Sequence, residues 1–412
     1  MNSTSRWLAL SLALTAAACN GKSSANAIID PEPPAMQLGD PLPDLTAEEL
    51  ASFERGRALF SKRFKPSEGL GPLYNSTSCV GCHSDPVVGG GADLYRNFYV
   101  SLLFGITPLG NLPSPVIPAF GGSTRDLPHS LERGRYPIPE LPGLVVTAQR
   151  NSIPLFGVGL FEFISNPTIM ANADPEDTDS DGVSGRSNND GAGQGRFGLK
   201  AQSNNIEFFT RAPLMNQMGI TSNPFRGTAG TISLELGMSP QASSTPNAPT
   251  VDNDGVADPE IPAADLGDLI AFTRFLGPPQ PRPFDAAAVR GQQQFAAIGC
   301  AKCHIPELQS SRGPVRAYTD LLIHDMGPDL ADFVNFGRPQ ITLNDPTNTG
   351  LEFRTQPLWG VSKFAPYLHD GRAETLEDAI RMHGGEATNA RVAFAALDLA
   401  ARADLIRFLE HL

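Results

Sequence analysis

Apolar side chains recur with helical spacing in several stretches of this sequence. In the first stretch Leu50, Phe53, Leu59 and Phe60 place an apolar stripe on one face of a helix. The pattern predicts a mainly α protein with four clear helices: one that opens at Thr46 and ends before Pro66, one over residues 266–276, one from Thr375 to Gly384, and a last one over residues 397–409.

Two of these helices begin with a capping signal. Thr46 with Glu49, and Thr375 with Asp378, put a hydroxyl and a carboxylate three residues apart, where each can bond to backbone N–H groups of the first turn. Two helices also end at helix-breaking residues, Gly277-Pro278-Pro279 and Gly384-Gly385.

A long segment, roughly residues 85–284, has little of this periodicity. It contains a proline-rich stretch from Pro108 to Pro142 and an apolar run over residues 153–164. The chain has 40 glycines and 37 prolines in 412 residues, so long loops must separate its helices. We therefore expect a loop-rich insert.

The N-terminal residues are typical of an exported protein. Arg6 precedes an apolar run over residues 7–18, which has the length of a signal-peptide core and is too short to span a bilayer. Small residues precede Cys19, as in bacterial lipoproteins, although Ala16 stands where leucine is usual.

We expect residues 1–18 to be a signal peptide and Cys19 to be lipidated; plain cleavage after Ala18 is the alternative. The segment over residues 19–45 is rich in Ser, Asn, Ala and Pro and is expected to be a flexible tether. The predicted location is the periplasm, with a lipid anchor in the outer membrane as the one membrane attachment.

The net charge of −13 argues against nucleic acid and anionic lipid as partners. An acidic surface suits a basic electron-donor protein, such as a small cytochrome. Solubility alone is the other explanation of the charge.

Two Cys-x-x-Cys-His runs carry the strongest chemical signal. They are Cys79-Val80-Gly81-Cys82-His83 and Cys300-Ala301-Lys302-Cys303-His304. In a helical turn the two thiols and the histidine share a face, which offers two sulfurs to the haem vinyl groups and an imidazole to the iron. The sequence therefore predicts two covalently bound c-type haems.

Zinc and a redox dithiol fit less well. The usual four-cysteine zinc motif places its pairs about 15 to 20 residues apart, whereas Cys82 and Cys300 are 218 positions apart. A thioredoxin-like dithiol does not need a histidine directly after each pair.

An internal repeat accompanies the two runs. Arg55-Gly56-x-x-x-Phe60 precedes the first and Arg290-Gly291-x-x-x-Phe295 precedes the second. We predict two cytochrome c-like domains with a large loop-rich insert between them. The expected division is 46–150 for the N-terminal module and the start of the insert, 151–284 for the rest of the insert, and 285–412 for the C-terminal domain.

The sixth iron ligand decides between catalysis and electron transfer, because an iron with one protein ligand is open to small molecules. For the C-terminal haem we favour His383, which stands before Gly384-Gly385, with Met382 as its competitor. His324 and Met326 are further candidates for an axial or supporting role. The N-terminal haem is expected to be open or to be filled by one of three residues: His129, Met215 or Met218.

Glu162 is the candidate catalytic acid. It stands inside the apolar run, where burial would raise its pKa and suit it to deliver a proton for O–O cleavage. The solvent-facing side of a helix is the alternative place for it.

Asp177, Asp179 and Asp181, followed by Gly182, resemble the start of a calcium-binding loop. The bidentate glutamate expected at position twelve is replaced by Asn188. An acidic, solvated turn is the alternative, and residues 252–255 repeat the pattern more weakly.

With these motifs in place, the chain resembles the bacterial di-haem oxidoreductases, relatives of di-haem cytochrome c peroxidase and of the di-haem enzyme of methylamine utilisation. The matching motifs span nearly all of the mature chain. They are Gly71-Pro72 with Asn75, Gly157-Val158-Gly159-Leu160, residues 177–185, Gly195-Arg196-Phe197-Gly198, Met218-Gly219-Ile220-Thr221, residues 321–328, Phe353-Arg354-Thr355 with Pro357-Leu358-Trp359-Gly360, residues 368–372, and His383-Gly384-Gly385-Glu386.

The resemblance implies a function. In the peroxidases the axial methionine of the electron-transfer haem follows a His-x-Gly turn by 14 residues, and the same count from His369 reaches His383. The resemblance therefore implies that two histidines ligate the iron of the C-terminal haem and that the N-terminal haem reduces the peroxide. Two features depart from the peroxidases: no histidine follows His83 at their distal spacing, and Trp359 lies in the C-terminal half.

We accordingly predict an exported di-haem oxidoreductase that reduces a peroxide-type oxidant. A pure electron-transfer cytochrome with two six-coordinate haems is the leading alternative, and oxidation of a protein partner after peroxide activation is a third.

Overall fold

The computed structural model describes residues 36–70, 76–93, 98–103, 113–114, 145–189, 193–222, 255–332, 334–342 and 349–412. The predicted signal peptide, Cys19, His129 and most of residues 252–255 lie outside this part of the chain. None of the helices in the described ranges is long and apolar enough to cross a membrane.

The described chain is mainly helical and rich in loops, as expected, with few and short strands. Thr46 and Thr375 cap their helices through the predicted hydroxyl bonds to the third residue of each helix. The helices are α1 Ala47–Ser61, α2 Asn166–Met170, α3 Ile206–Met218, α4 Ala263–Phe275, α5 Ala286–Ala297, α6 Leu376–Met382, α7 Thr388–Ala396 and α8 Leu399–His411.

The strands form three small antiparallel sheets among the described residues. A three-stranded sheet has the order β2-β1-β3, and two two-stranded sheets, β4-β5 and β6-β7, follow later in the chain. The strands are β1 Phe98–Leu103, β2 Pro113–Ser114, β3 Val145–Arg150, β4 Leu308–Ser310, β5 Gly313–Val315, β6 Ile323–Asp325 and β7 Glu352–Arg354.

Helices α1 and α4 cross at a glycine. A Cβ atom on Gly56 would lie 1.9 Å from the backbone oxygen of Asp268 and 2.8 Å from Cβ of Phe272, so a larger residue cannot occupy this position. Arg55 Nε lies 2.7 Å from the Asp268 carboxylate beside the crossing. The ring of Phe60 packs on Phe272, with 4.8 Å between centroids.

Helices α5 and α8 repeat this crossing. A Cβ on Gly291 would lie 1.9 Å from the backbone oxygen of Asp404 and 2.8 Å from Cβ of Phe408. Arg290 Nε lies 2.6 Å from Asp404, and the rings of Phe295 and Phe408 are 5.3 Å apart. One helix pair thus lies next to each Cys-x-x-Cys-His run.

The internal repeat also extends to the second helix of each pair. Asp268-Leu269-Ile270-Ala271-Phe272 of α4 matches Asp404-Leu405-Ile406-Arg407-Phe408 of α8. The segment 151–284, expected to be an insert, therefore supplies the helix that packs on α1.

Trp359 joins the two apolar cores. Its indole is buried in the core that contains Phe53 and Phe272, where it stacks on Phe161 with ring centroids 5.5 Å apart and an interplanar angle of 9°. Its chain neighbours Leu358 and Val361 pack instead against the core formed around α5 and α8.

Buried ion pairs tie the middle of the chain to its C-terminal part. Asp332 pairs with Arg150 and also with Lys200, whose Nζ lies 3.1 Å from the carboxylate. Arg186 Nε lies 2.6 Å from Glu352. All five side chains are buried, so each charge depends on its partner.

Candidate functional site: two cysteine-histidine runs and a cavity

Both Cys-x-x-Cys-His runs begin with a single 3₁₀ turn, Cys79–Gly81 and Cys300–Lys302. The backbone N–H of each histidine bonds to the carbonyl of the first cysteine, at 3.0 Å in both runs. None of the four cysteines is in a disulfide. Each run thus holds its two thiols and its histidine within one turn, as the sequence predicted.

The histidines of the two runs are neutral and fixed in one tautomer. Nδ1 of His83 lies 3.0 Å from the Gly90 carbonyl oxygen, and Nδ1 of His304 lies 3.0 Å from that of Tyr318. Because a carbonyl only accepts, Nδ1 carries the proton and Nε2 carries the lone pair. Burial lowers the pKa of His83 and lowers that of His304 to about 4.

His383 has the same tautomer and is also neutral. It follows the last residue of α6, and its Nδ1 donates to the Ala379 carbonyl at 2.6 Å. Burial lowers its pKa, so the ring is neutral and its Nε2 can act as a metal ligand.

A cavity of about 280 Å³ brings the C-terminal residues together. Its lining includes Cys300, Cys303, His304 and His383. The competitor Met382 is 39% exposed and is not among the lining residues. The cavity therefore presents two thiols and two imidazoles, the set that the sequence assigned to one haem.

His324 also lines this cavity, but both of its nitrogens are engaged. Nε2 lies 2.8 Å from the Asp320 carboxylate, and Nδ1 lies 2.7 Å from that of Glu386. Burial opposes the charge, but the Asp320 carboxylate raises the pKa of His324 well above 6.5. Both nitrogens are therefore held by carboxylates, and the axial or supporting role considered for His324 stays a prediction.

The carboxylate of Glu386 accepts further hydrogen bonds. It accepts from the backbone N–H of Ser184 at 3.0 Å and from that of Asp325 at 3.0 Å, and the Ser184 hydroxyl lies 2.6 Å away. The sequence did not predict this network, because its members come from three distant segments.

We expect Glu386→Gln to weaken folding most between about pH 4.5 and 6.5. The His324 pKa is raised on folding, so its contribution is complete below 6.5 and fades as pH rises. The Glu386 pKa is lowered, so its contribution is complete above 4.5 and fades as pH falls. Thermal unfolding across this range should give a loss of about 1.5 to 3 kcal/mol inside the window.

A matched control for this variant is Glu377→Gln, which removes an exposed carboxylate paired with Arg381. Its effect should be about 0.3 to 0.5 kcal/mol. A Glu386→Gln loss that does not vary with pH would contradict the assignment of a charged His324.

Glu162 has two structural partners. Its carboxylate lies 2.7 Å from Arg274 Nε near the end of α4 and accepts from the backbone N–H of Ile206, the first residue of α3, at 2.8 Å. It does not line the 280 Å³ cavity. These contacts tie three segments together, and its catalytic role stays a prediction.

The predicted calcium loop groups a different set of carboxylates. Asp174, Asp177 and Asp179 bring one oxygen each within 4.8 Å of one another. Asp181 instead pairs with Lys302 of the second Cys-x-x-Cys-His run, at 2.8 Å. The structure therefore replaces Asp181 by Asp174 in the candidate cluster, and calcium binding stays a prediction.

At the first Cys-x-x-Cys-His run, the ring of Phe60 packs against that of His83, with 6.0 Å between the ring centroids. Met218, one candidate sixth ligand, is buried in the core that contains Phe53 and Phe272. The ligation of the N-terminal haem stays a prediction.

Comparison with known proteins agrees with this geometry. Residues 143–412, well over half of the chain, match the protein family described as "Di-haem oxidoreductase, putative peroxidase". The chain belongs to the di-haem oxidoreductase family. Haem cofactors and an oxidoreductase function follow from this membership.

Two solved structures similar to this di-haem oxidoreductase are hydrazine synthase from Kuenenia stuttgartiensis and a MauG-like protein associated with microbial copper homeostasis. The first is 24% identical with a TM-score of 0.27, covering 37% of this chain and 56% of that chain. The second is 16% identical with a TM-score of 0.38, covering 92% and 94%. No curated protein matches.

The residues of this di-haem oxidoreductase fit a haem on the C-terminal side. Two imidazoles with their lone pairs on Nε2 and two cysteines line one cavity, and apolar residues such as Leu358, Ile380 and Leu409 complete its wall. The chemistry of these donors is that of haem iron and its thioether links.

Proposed function

We propose that the protein is an exported di-haem c-type cytochrome that reduces a peroxide-type oxidant. The observation that carries the proposal is the cavity in which Cys300, Cys303, His304 and His383 meet. Cys79 and Cys82, with His83, would hold the second haem. Each haem would be bound by a cytochrome c-like module, built around the α1–α4 and α5–α8 crossings.

When bound, the two haems supply the two electrons that reduction of a peroxide requires. The protein orients its imidazoles through the Nδ1 bonds to backbone carbonyls, which fixes Nε2 as the ligand atom. Apolar side chains make up most of the cavity wall around His304 and His383. His304 and His383 would together hold the iron of the C-terminal haem, which would then serve to store an electron, and the oxidant would bind on the N-terminal side.

Spectroscopy on the ferric protein tests the proposal. Electron paramagnetic resonance and resonance Raman spectra should give one low-spin and one high-spin haem. Two low-spin haems that bind neither peroxide nor cyanide, even after half-reduction, would establish the pure electron-transfer alternative. A mature protein with the mass of the bare polypeptide and no Soret band would remove the haem assignment altogether.

Glu162→Gln tests the proton-delivery role. If Glu162 delivers a proton to peroxide, turnover should fall by about 10² to 10⁴-fold. Arg274→Gln is the matched control, because it breaks the same ion pair and keeps the acid. Equal losses of turnover in both variants would show that the ion pair between Glu162 and Arg274 has a structural role only.

The remaining parts of the proposal concern partners and location. A small basic cytochrome is the proposed electron donor, in keeping with the charge of −13. Recovery of the mature protein in the outer-membrane fraction, and its release in Cys19→Ser, would support the lipid anchor. Calorimetric titration with Ca²⁺, repeated on Asp177→Asn, tests the acidic loop.

A further inference from the structure

Arg354 is a buried cation in the wall of the 280 Å³ cavity. It is the last residue of β7 and is 3% exposed. Its guanidinium donates to the carbonyl oxygens of Gly198 at 3.0 Å and Arg196 at 3.3 Å, and to the side-chain oxygen of Gln356 at 2.9 Å. All three acceptors are neutral.

Most other buried cations among the described residues have an acid beside them. Arg150 and Lys200 share Asp332, and Arg186 pairs with Glu352. Arg196, like Arg354, donates to neutral acceptors, but it does not line the cavity. Arg354 therefore combines a buried charge with access to the cavity.

The acid that acts on Arg354 electrostatically is Asp320. That carboxylate is already bonded to His324 at 2.8 Å and to the backbone N–H of Leu322 at 2.9 Å. Burial lowers the pKa of Arg354 to about 10, so the guanidinium stays charged at neutral pH. A buried guanidinium whose hydrogen-bond acceptors are all neutral is costly, which points to an anion in the cavity.

Thr355 supplies a second, independent observation. It is 7% exposed, lines the same cavity, and its hydroxyl has no hydrogen-bond partner in the described structure. Buried hydroxyls are nearly always paired. A hydroxyl donor and a guanidinium on adjacent residues offer a carboxylate both charge and directed hydrogen bonds.

We propose that Arg354 and Thr355 bind a carboxylate in this cavity, and that this carboxylate is a propionate group of the C-terminal haem. The inference rests on the proposed function, because it needs a haem beside His304 and His383. A free carboxylate that enters next to the haem has the same chemistry and is distinguished by the experiment below.

The test uses the haem-loaded, full-length protein and two variants, Thr355→Val and Arg354→Gln. The readout is the propionate bending region of the low-frequency resonance Raman spectrum, which responds to hydrogen bonds on the propionates. Thr273→Val and Arg196→Gln are matched controls, since both residues are buried and neither lines the cavity. Mass spectrometry first establishes that each variant carries two haems.

We expect a shift of one propionate band in both cavity variants and none in the controls. Acetate added to the wild type should leave the spectrum unchanged; a saturable change that Arg354→Gln abolishes would identify a free carboxylate as the occupant. Unchanged propionate bands and no acetate effect in haem-loaded variants would overturn the inference. Loss of haem from the wild type would instead refute the proposed function. Thr355→Val decides the matter if Arg354→Gln does not fold.

Discussion

Replacing His383 with alanine should convert one of the two haems from low spin to high spin. His383 lines the cavity that also contains Cys300, Cys303 and His304, and its Nδ1 is held by the Ala379 carbonyl. If His383 is the sixth ligand, removal of its imidazole would leave the iron with His304 as its one protein ligand. The visible and electron paramagnetic resonance spectra of the ferric variant should therefore gain a high-spin signal.

A rescue experiment and a control variant test whether the high-spin signal arises from loss of the His383 ligand. Added imidazole should restore the low-spin spectrum, because it replaces the lost ligand in the space that alanine leaves. Met382→Leu should leave the spectrum as it is, since Met382 is exposed and does not line the cavity. An unchanged spectrum in His383→Ala would refute His383 as the ligand and would favour Met326, which also lines the cavity.

Asp332→Asn should be the most destabilising single substitution among the buried ion pairs. Its carboxylate neutralises both Arg150 and Lys200, and all three side chains are buried. Asparagine keeps the acceptor for the Val334 N–H but leaves two buried cations without a counter-ion. A loss of about 3 to 5 kcal/mol is expected from denaturant unfolding.

Glu307→Gln is the control for this prediction, since it breaks an exposed pair with Arg316 and should cost at most about 1 kcal/mol. Asp332→Asn combined with Lys200→Met should recover part of the loss, because one cation is then removed. If the unfolding midpoint of Asp332→Asn lies at the same denaturant concentration as that of the wild type, Arg150 and Lys200 must have another counter-ion.

Local signals made several elements predictable. The hydroxyl caps at Thr46 and Thr375 are short-range interactions, and both helices begin where the sequence placed them. The Cys-x-x-Cys-His runs close a single turn, so their geometry depends on five consecutive residues. The family resemblance, drawn from motifs along the chain, is confirmed.

Long-range contacts were not predictable from pattern alone. His324 meets Glu386 across 62 positions, so its sequence neighbours do not reveal that both nitrogens are engaged. Glu162 was expected to be a catalytic acid inside an apolar run, and nothing near it in the sequence reveals its ion pair with Arg274, 112 positions away. Asp181, predicted to be a calcium ligand, likewise forms an ion pair with Lys302, which belongs to a distant segment of the chain.

The position of Trp359 provides an intrinsic optical reporter. The sequence has two tryptophans, and Trp7 lies in the predicted signal peptide, so the tryptophan fluorescence of the mature protein would come from one indole. Its chain neighbours Leu358 and Val361 line the C-terminal cavity, and its own core includes Cys79. A haem on either side would absorb its emission, so fluorescence would stay dim in the loaded, folded protein and brighten as the chain opens.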